Sequence, residues 1–146
     1  MTEPLVIAVT RHFAATQEQV FDAWLDPESA RHWLFATDGG EIVRAQIDPH
    51  VGGRFLIVDR RDGVDVEHHG TYVVIDRPRQ LEFEFVAGDP EGESSRVIVH
   101  VIATESGCEL TLTHVMDPKW AEFRERTIHG WTSILAGLAR TVEPPH

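Results

Sequence analysis

The sequence predicts an α+β fold in which a curved antiparallel sheet of about six or seven strands packs on one long C-terminal helix, with two short helices after the first strand. Three observations carry this prediction. From Ile42 to Val115 the apolar residues recur mainly at every second position, in runs separated by turns rich in Gly, Pro and Asp. Those turns are too short for parallel crossovers, so neighbouring strands must run antiparallel. After Asp117-Pro118 the apolar period changes to 3.6 and holds to Val142.

Each element can be justified in chain order. The run from Leu5 to Phe13 is β-rich and reads as a strand. Thr16 can cap a following turn through its hydroxyl, and Val20, Phe21 and Trp24 recur at helical spacing until Asp26-Pro27. Pro27 suits the first position of a second short helix carrying Ala30, Trp33 and Leu34, which Asp38-Gly39-Gly40 ends. Strands then follow at Ile42 to Ile47 and Arg54 to Asp59. Between them, Gly52-Gly53 permits positive φ. Arg61-Asp62-Gly63 closes a hairpin onto Val66 to Ile75, and Asp76-Arg77-Pro78-Arg79 turns the chain again. Leu81-Glu82-Phe83-Glu84-Phe85 is the cleanest alternation, apolar on one face and acidic on the other. An acidic loop over residues 88–93 leads to a last hairpin, Arg96 to Ala103 and Glu109 to Val115. The final helix is expected to start with Asp117 as cap and Pro118 as first residue. Its stripe is Trp120, Phe123, Thr127, Trp131, Ile134, Leu135, Leu138 and Val142. Gly130 and Gly137 cost roughly 1 kcal/mol each relative to Ala in a helix, and close approach of the backbone to the sheet would compensate.

With 146 residues and no linker or repeat, residues 1–146 form a single domain with room for a core. A net charge of −11 argues against nucleic acid and anionic membrane, both of which call for clustered Lys and Arg. No run approaches the roughly 18 apolar residues of a membrane-spanning helix, and the N-terminus lacks the pattern of a signal peptide. The lone Cys108 suits a reducing, cytoplasmic setting.

The order of elements resembles the helix-grip fold of the SRPBCC (START / Bet v-like) superfamily. The segment VTRHFAATQEQVFDAWLDPESARHW is similar to the opening signature of the family named for the activator of heat-shock-protein-90 ATPase. IDPHVGGRF, GTYVVIDRPRQLEFEF, ELTLTH and HGWTSILAGL resemble its later signatures in the same order, so the likeness spans about residues 6 to 142. One departure is Arg77, where a second proline is common; it is expected to matter only to its turn. The resemblance implies a fold and a cavity more than a reaction, because its relatives include ligand binders, cyclases and a co-chaperone domain.

Alternation places Phe55, Ile57, Leu81, Phe83, Phe85, Val97, Val99, Val101, Leu110, Leu112 and His114 on the face turned toward the helix. The helix adds Phe123, Thr127, Trp131, Ile134 and Leu135, and Trp33 and Phe35 lie where they would cover one mouth. These side chains either fill a solid core or line an apolar cleft of the kind that takes small molecules; the resemblance favours the cleft. Within it His114 is either a core histidine bonded to a backbone carbonyl or a group that orients a ligand or moves a proton near neutral pH. His69 is the other candidate on this face, its strand register being open.

Nine histidines raise the question of a metal, but no H-x-x-x-H and no Cys cluster occurs, and adjacent His68-His69 point to opposite faces of a strand. No metal, cofactor, phosphate loop or nucleophile motif is expected. The favoured function is binding of a small apolar or aromatic ligand. A cyclase- or hydrolase-like reaction at a cleft histidine is the alternative, and a chaperone partner is disfavoured in so short a chain. Arg96 to Ala103 is apolar on both parities, with Val97, Val99 and Val101 on one face and Ile98 and Ile102 on the other, which predicts a homodimer or a covering loop.

Overall fold

A computed structural model describes residues 3–37, 39–87 and 94–144. Its strands are β1 (Leu5–Phe13), β2 (Glu41–Ile47), β3 (Arg54–Arg61), β4 (Val64–Asp76), β5 (Gln80–Ala87), β6 (Ser95–Thr104) and β7 (Gly107–Met116). The helices are α1 (Gln17–Ala23), α2 (Pro27–Ala30) and α3 (Arg124–Val142). The strands form one antiparallel sheet in the order β1-β7-β6-β5-β4-β3-β2, so the N-terminal strand closes against the C-terminal one and β1 and β2 are the edges. This is the helix-grip architecture, with α3 across the concave face. The expected acidic loop over residues 88–93, and Asp38 of the break before β2, lie outside the described residues.

Local chemistry explains the short helices. Thr16 and Gln19 form a reciprocal capping box: Gln19 N–H donates to Thr16 Oγ1 at 3.1 Å, and Thr16 N–H donates to Gln19 Oε1 at 2.9 Å. Asp26 caps α2, accepting from Glu28 N–H at 3.0 Å, with Pro27 at the first position. Arg77 does more than shape its turn. Its guanidinium grips Asp22 of α1 through two bonds of 2.7 and 2.8 Å, tying the β4–β5 turn to the helix and holding the Asp22 carboxyl below its usual range.

The C-terminal helix differs from expectation at its start. Asp117 does cap, accepting from Lys119 N–H at 2.9 Å, but residues Pro118–Phe123 wind as a 3₁₀ turn and α3 begins only at Arg124. Trp120 is 38% exposed and pairs with Phe123 within that turn, at 5.7 Å between ring centroids, so it does not join the buried stripe. The stripe that is buried starts at Trp131 and runs through Leu135 and Leu138; Phe123 and Thr127 are half-buried. Gly137 earns its place by close approach, though to Trp33 rather than to the sheet: a Cβ there would stand 3.3 Å from Trp33 Cβ. Nothing lies within 4 Å of the corresponding point on Gly130.

The core fills the space between α3 and the inner sheet face. Val97, Val99 and Val101 face inward with Leu81, Phe83, Leu110 and Leu112. On the outer face of β6, Ile98 is half-buried and Ile102 is 64% exposed. Gly70 is the glycine on which the inner face turns. It pairs with Phe55, and a Cβ on it would sit 2.0 Å from Phe55 Cε2, so the ring lies across the bare backbone. Gly70→Ala should therefore cost about 2 kcal/mol through overpacking, read from urea denaturation, and Phe55→Leu in the same chain should recover part of it. An unchanged midpoint for the single variant would show that the ring is not held there.

Candidate functional site

Three elements converge on one aromatic part of the interior. The sheet supplies Phe55 from β3, His68 from β4, Phe83 and Phe85 from β5, and His114 from β7; α3 supplies Trp131, and the turn after α2 supplies Trp33 and Phe35. Phe35 packs parallel to rings that rise from the sheet. Its ring stacks on His68 at 4.4 Å and 3°, on Phe85 at 5.0 Å and 5°, and on Phe55 at 6.2 Å and 20°. The indole of Trp131 stands tilted to it, at 5.6 Å. The Phe35 ring thus packs against side chains of both the sheet and α3.

The segment bearing that ring is held at both ends and strained in the middle. Phe35 has φ of 61°, a left-handed conformation that costs a bulky residue free energy. Behind it, Thr37 Oγ1 donates to Asp59 Oδ2 at 2.8 Å, and Arg61 pairs with the same carboxylate. Asp59 is fully buried, on the inner parity of β3 with Phe55 and Ile57. Gly40 is required beside it, because a Cβ would fall 2.5 Å from Thr37 Oγ1 and 2.7 Å from Asp59 Oδ1.

His114 faces inward as its parity predicts, with partners that are not backbone carbonyls. The Trp131 indole N–H donates to His114 Nδ1 at 3.0 Å, and an indole can only donate. The imidazole proton therefore resides on Nε2, which donates to Ser95 Oγ at 2.7 Å; the Ser95 hydroxyl points on toward the Phe85 carbonyl at 3.5 Å. Both ring nitrogens are engaged, and burial pushes the group down to about 4.

His69 is the sequence candidate that the structure moves. Register pairs Leu56 with His69 and Ile57 with His68, so His68 enters the interior and His69 faces out, bonded to Glu67 at 2.9 Å. There it borders a hollow of about 720 Å³, mostly on the outer face of the sheet, with Gln46, Arg54, Leu56, Thr71 and Glu84. His68 was the interior histidine missed by sequence reasoning. Its Nδ1–H donates to the Ile57 carbonyl at 3.2 Å, and burial pushes it too down to about 4.

Of the other expected lining residues, Ile57, Phe83, Val99, Leu112 and Leu135 are buried on the inner side, whereas Phe123 and Thr127 sit at its margin. Two donors in this interior are unmatched: the indole N–H groups of Trp24 and Trp33 are buried with no hydrogen-bond partner among the described residues. The two indoles meet edge to face at 4.8 Å. No group of three or more His, Cys, Asp or Glu among the described residues could hold a metal ion.

The two neutral histidines make stability depend on pH. Each is held well below its unfolded value of 6.5, so between about 4 and 6.5 the unfolded chain binds more protons. Their contribution is complete above 6.5 and is lost as pH falls through that window. From pH 7.5 to 5 each should forfeit about 2 kcal/mol. Urea denaturation at the two pH values measures the sum, and imidazole NMR signals should show both rings neutral at pH 5.5. Rings that titrate near 6.5 in the folded protein would contradict this burial.

Comparison with known proteins agrees with the architecture. A protein of Chromobacterium violaceum superimposes with a TM-score of 0.86 at 23% identity, over 97% of this chain and 100% of that one. An AHSA1-like protein from Aeromonas hydrophila gives 0.79 at 24% identity, over 94% and 91%. A protein of Nitrosomonas europaea gives 0.81 at 18%, over 94% and 93%. At these identities the likeness concerns the fold. No protein of curated function matches. The family model described as Activator of Hsp90 ATPase homolog 1-like protein matches residues 14–143, nearly the whole chain, and the chain belongs to that family.

Proposed function

We propose that this protein binds a small, planar, largely apolar ligand between α3 and the sheet, in the slot that Phe35 fills in its absence. The observation that carries the reading is Phe35 itself: a strained residue whose ring is stacked on His68 and Phe85 beneath Trp131, as a flat aromatic guest would be. Ligand sites are typically apolar with a few placed polar groups. Here the unpaired indole donors of Trp24 and Trp33 would supply them, since buried donors without acceptors are rare. A turn held in a left-handed conformation has free energy to gain from moving out. Binding is favoured over catalysis at His114 because both of its ring nitrogens already have partners.

Native mass spectrometry of freshly purified protein tests the reading. A small molecule released on denaturation is expected, with higher retention in Phe35→Ala, where the competing ring is gone, and lower retention in Phe85→Ala, where the floor is lost. Phe35→Ala should also cost about 3 kcal/mol of unliganded stability. If neither wild type nor Phe35→Ala retains a molecule, and naphthalene-sized aromatics leave the Trp131 and His68 NMR signals unmoved, the reading fails.

A further inference from the structure

A second hollow lies on the solvent side of the segment that carries Trp33 and Phe35. We propose that this groove, between the turn after α2 and the middle of α3, binds a small oxyanion, the carboxylate or phosphate group of a metabolite, through the guanidinium groups of Arg31 and Arg140.

Its volume is about 300 Å³, and its wall includes Arg31, His32, Thr37, Gly40, Ser133 and Arg140. The helical side follows from spacing. Ser133, Gly137 and Arg140 stand at i, i+4 and i+7, so they share one face of α3. Gly137 leaves that face bare, which lets Trp33 Cβ approach and lets Arg140 fold back along the helix. Arg140 Nη2 lies 3.6 Å from the point a Cβ on Gly137 would occupy.

Charge gives the groove its sign. The chain carries 24 acidic residues against 13 Lys and Arg, yet no carboxylate is among the described lining residues of this groove. Arg140 makes no ion pair among the described residues, and Arg31 meets only Glu28, at 3.8 Å with Glu28 82% exposed, a contact that leaves its donors available. Asp59 sits behind Thr37 and does not line the groove; Arg61 and the Thr37 hydroxyl both bind its Oδ2, and its Oδ1 is buried without a partner among the described residues. A guanidinium offers a planar fork of donors that matches the paired oxygens of a carboxylate or phosphate. The Ser133 hydroxyl adds a donor that no described residue uses.

The test is a ¹H–¹⁵N NMR titration of the full chain with sodium phosphate, and separately with sodium acetate, at ionic strength held constant with chloride. Saturable shifts are expected at Ser133, Gly137, Arg140 and Arg31 in at least one series; phosphate alone would identify a phosphoryl group, acetate alone a carboxylate. Arg31→Gln and Arg140→Gln should each weaken binding about two- to fivefold, and Ser133→Asp should abolish it. All three positions are at least partly open to solvent, so the spectra of these variants away from the groove should match wild type. Shifts that rise linearly without saturation in both series, or that persist unchanged in the double arginine variant, would overturn the proposal. The outcome is independent of the aromatic slot, whose reporters are His68 and Trp131.

Discussion

The bond from the Trp131 indole to His114 Nδ1 sets the terms for the rest of the molecule. Apolar contacts can hold a helix on a sheet but do not fix its rotation, because a Leu or Val packs acceptably in several orientations. A buried N–H that can only donate has no such latitude. It must find an acceptor, and the only state of His114 that offers one at Nδ1 is the neutral Nε2–H tautomer. That choice directs the remaining proton at Ser95 on β6, so α3, β7 and β6 are linked in one polar chain inside an otherwise apolar interior. Once α3 is rotated this way, Trp131 also roofs the slot in which Phe35 lies.

Much of this was legible in the sequence, and what was not has physical reasons. Strict alternation in Leu81-Glu82-Phe83-Glu84-Phe85 assigned its inner face correctly because one side is wet and the other dry. The inward turn of His114 followed from Leu110 and Leu112 in the same way. In β4 the rule fails, since Glu67-His68-His69-Gly70 has no apolar member and a bulge interrupts the strand near Val73. A usable signal was nonetheless present. Asp62 and Gly63 both have positive φ, as a two-residue hairpin turn demands, and counting back from that turn places Ile57 opposite His68. The turn specifies the register that the strand's own pattern leaves open.

Other features lay beyond any periodicity. The spacing of Trp120 and Phe123 with Thr127 and Trp131 continues the helical stripe on paper, but Pro118–Phe123 wind as a 3₁₀ turn, whose three-residue period takes Trp120 out of that stripe. Asp59 could not be recognised as buried from sequence, because its partners Thr37 and Arg61 reach it from different elements. The left-handed conformation of Phe35 is equally invisible, since left-handed positions usually announce themselves as Gly or Asn.

The electrostatics of the interior constrain what the proposed slot can accept. Burial that drives two imidazoles to about 4 disfavours charge of either sign, and it would push a ligand carboxylate toward its neutral form by the same mechanism. The part of a guest that replaces Phe35 must therefore be uncharged, and an acceptor atom on it would find the unmatched indole N–H donors of Trp24 and Trp33. An anionic group belongs instead in water or against the arginines on the far side of the Trp33 segment. The single stretch from Arg31 to Thr37 thus stands between two environments of opposite character, the dry aromatic packing around Phe35 and the hollow lined by Arg31 and Arg140.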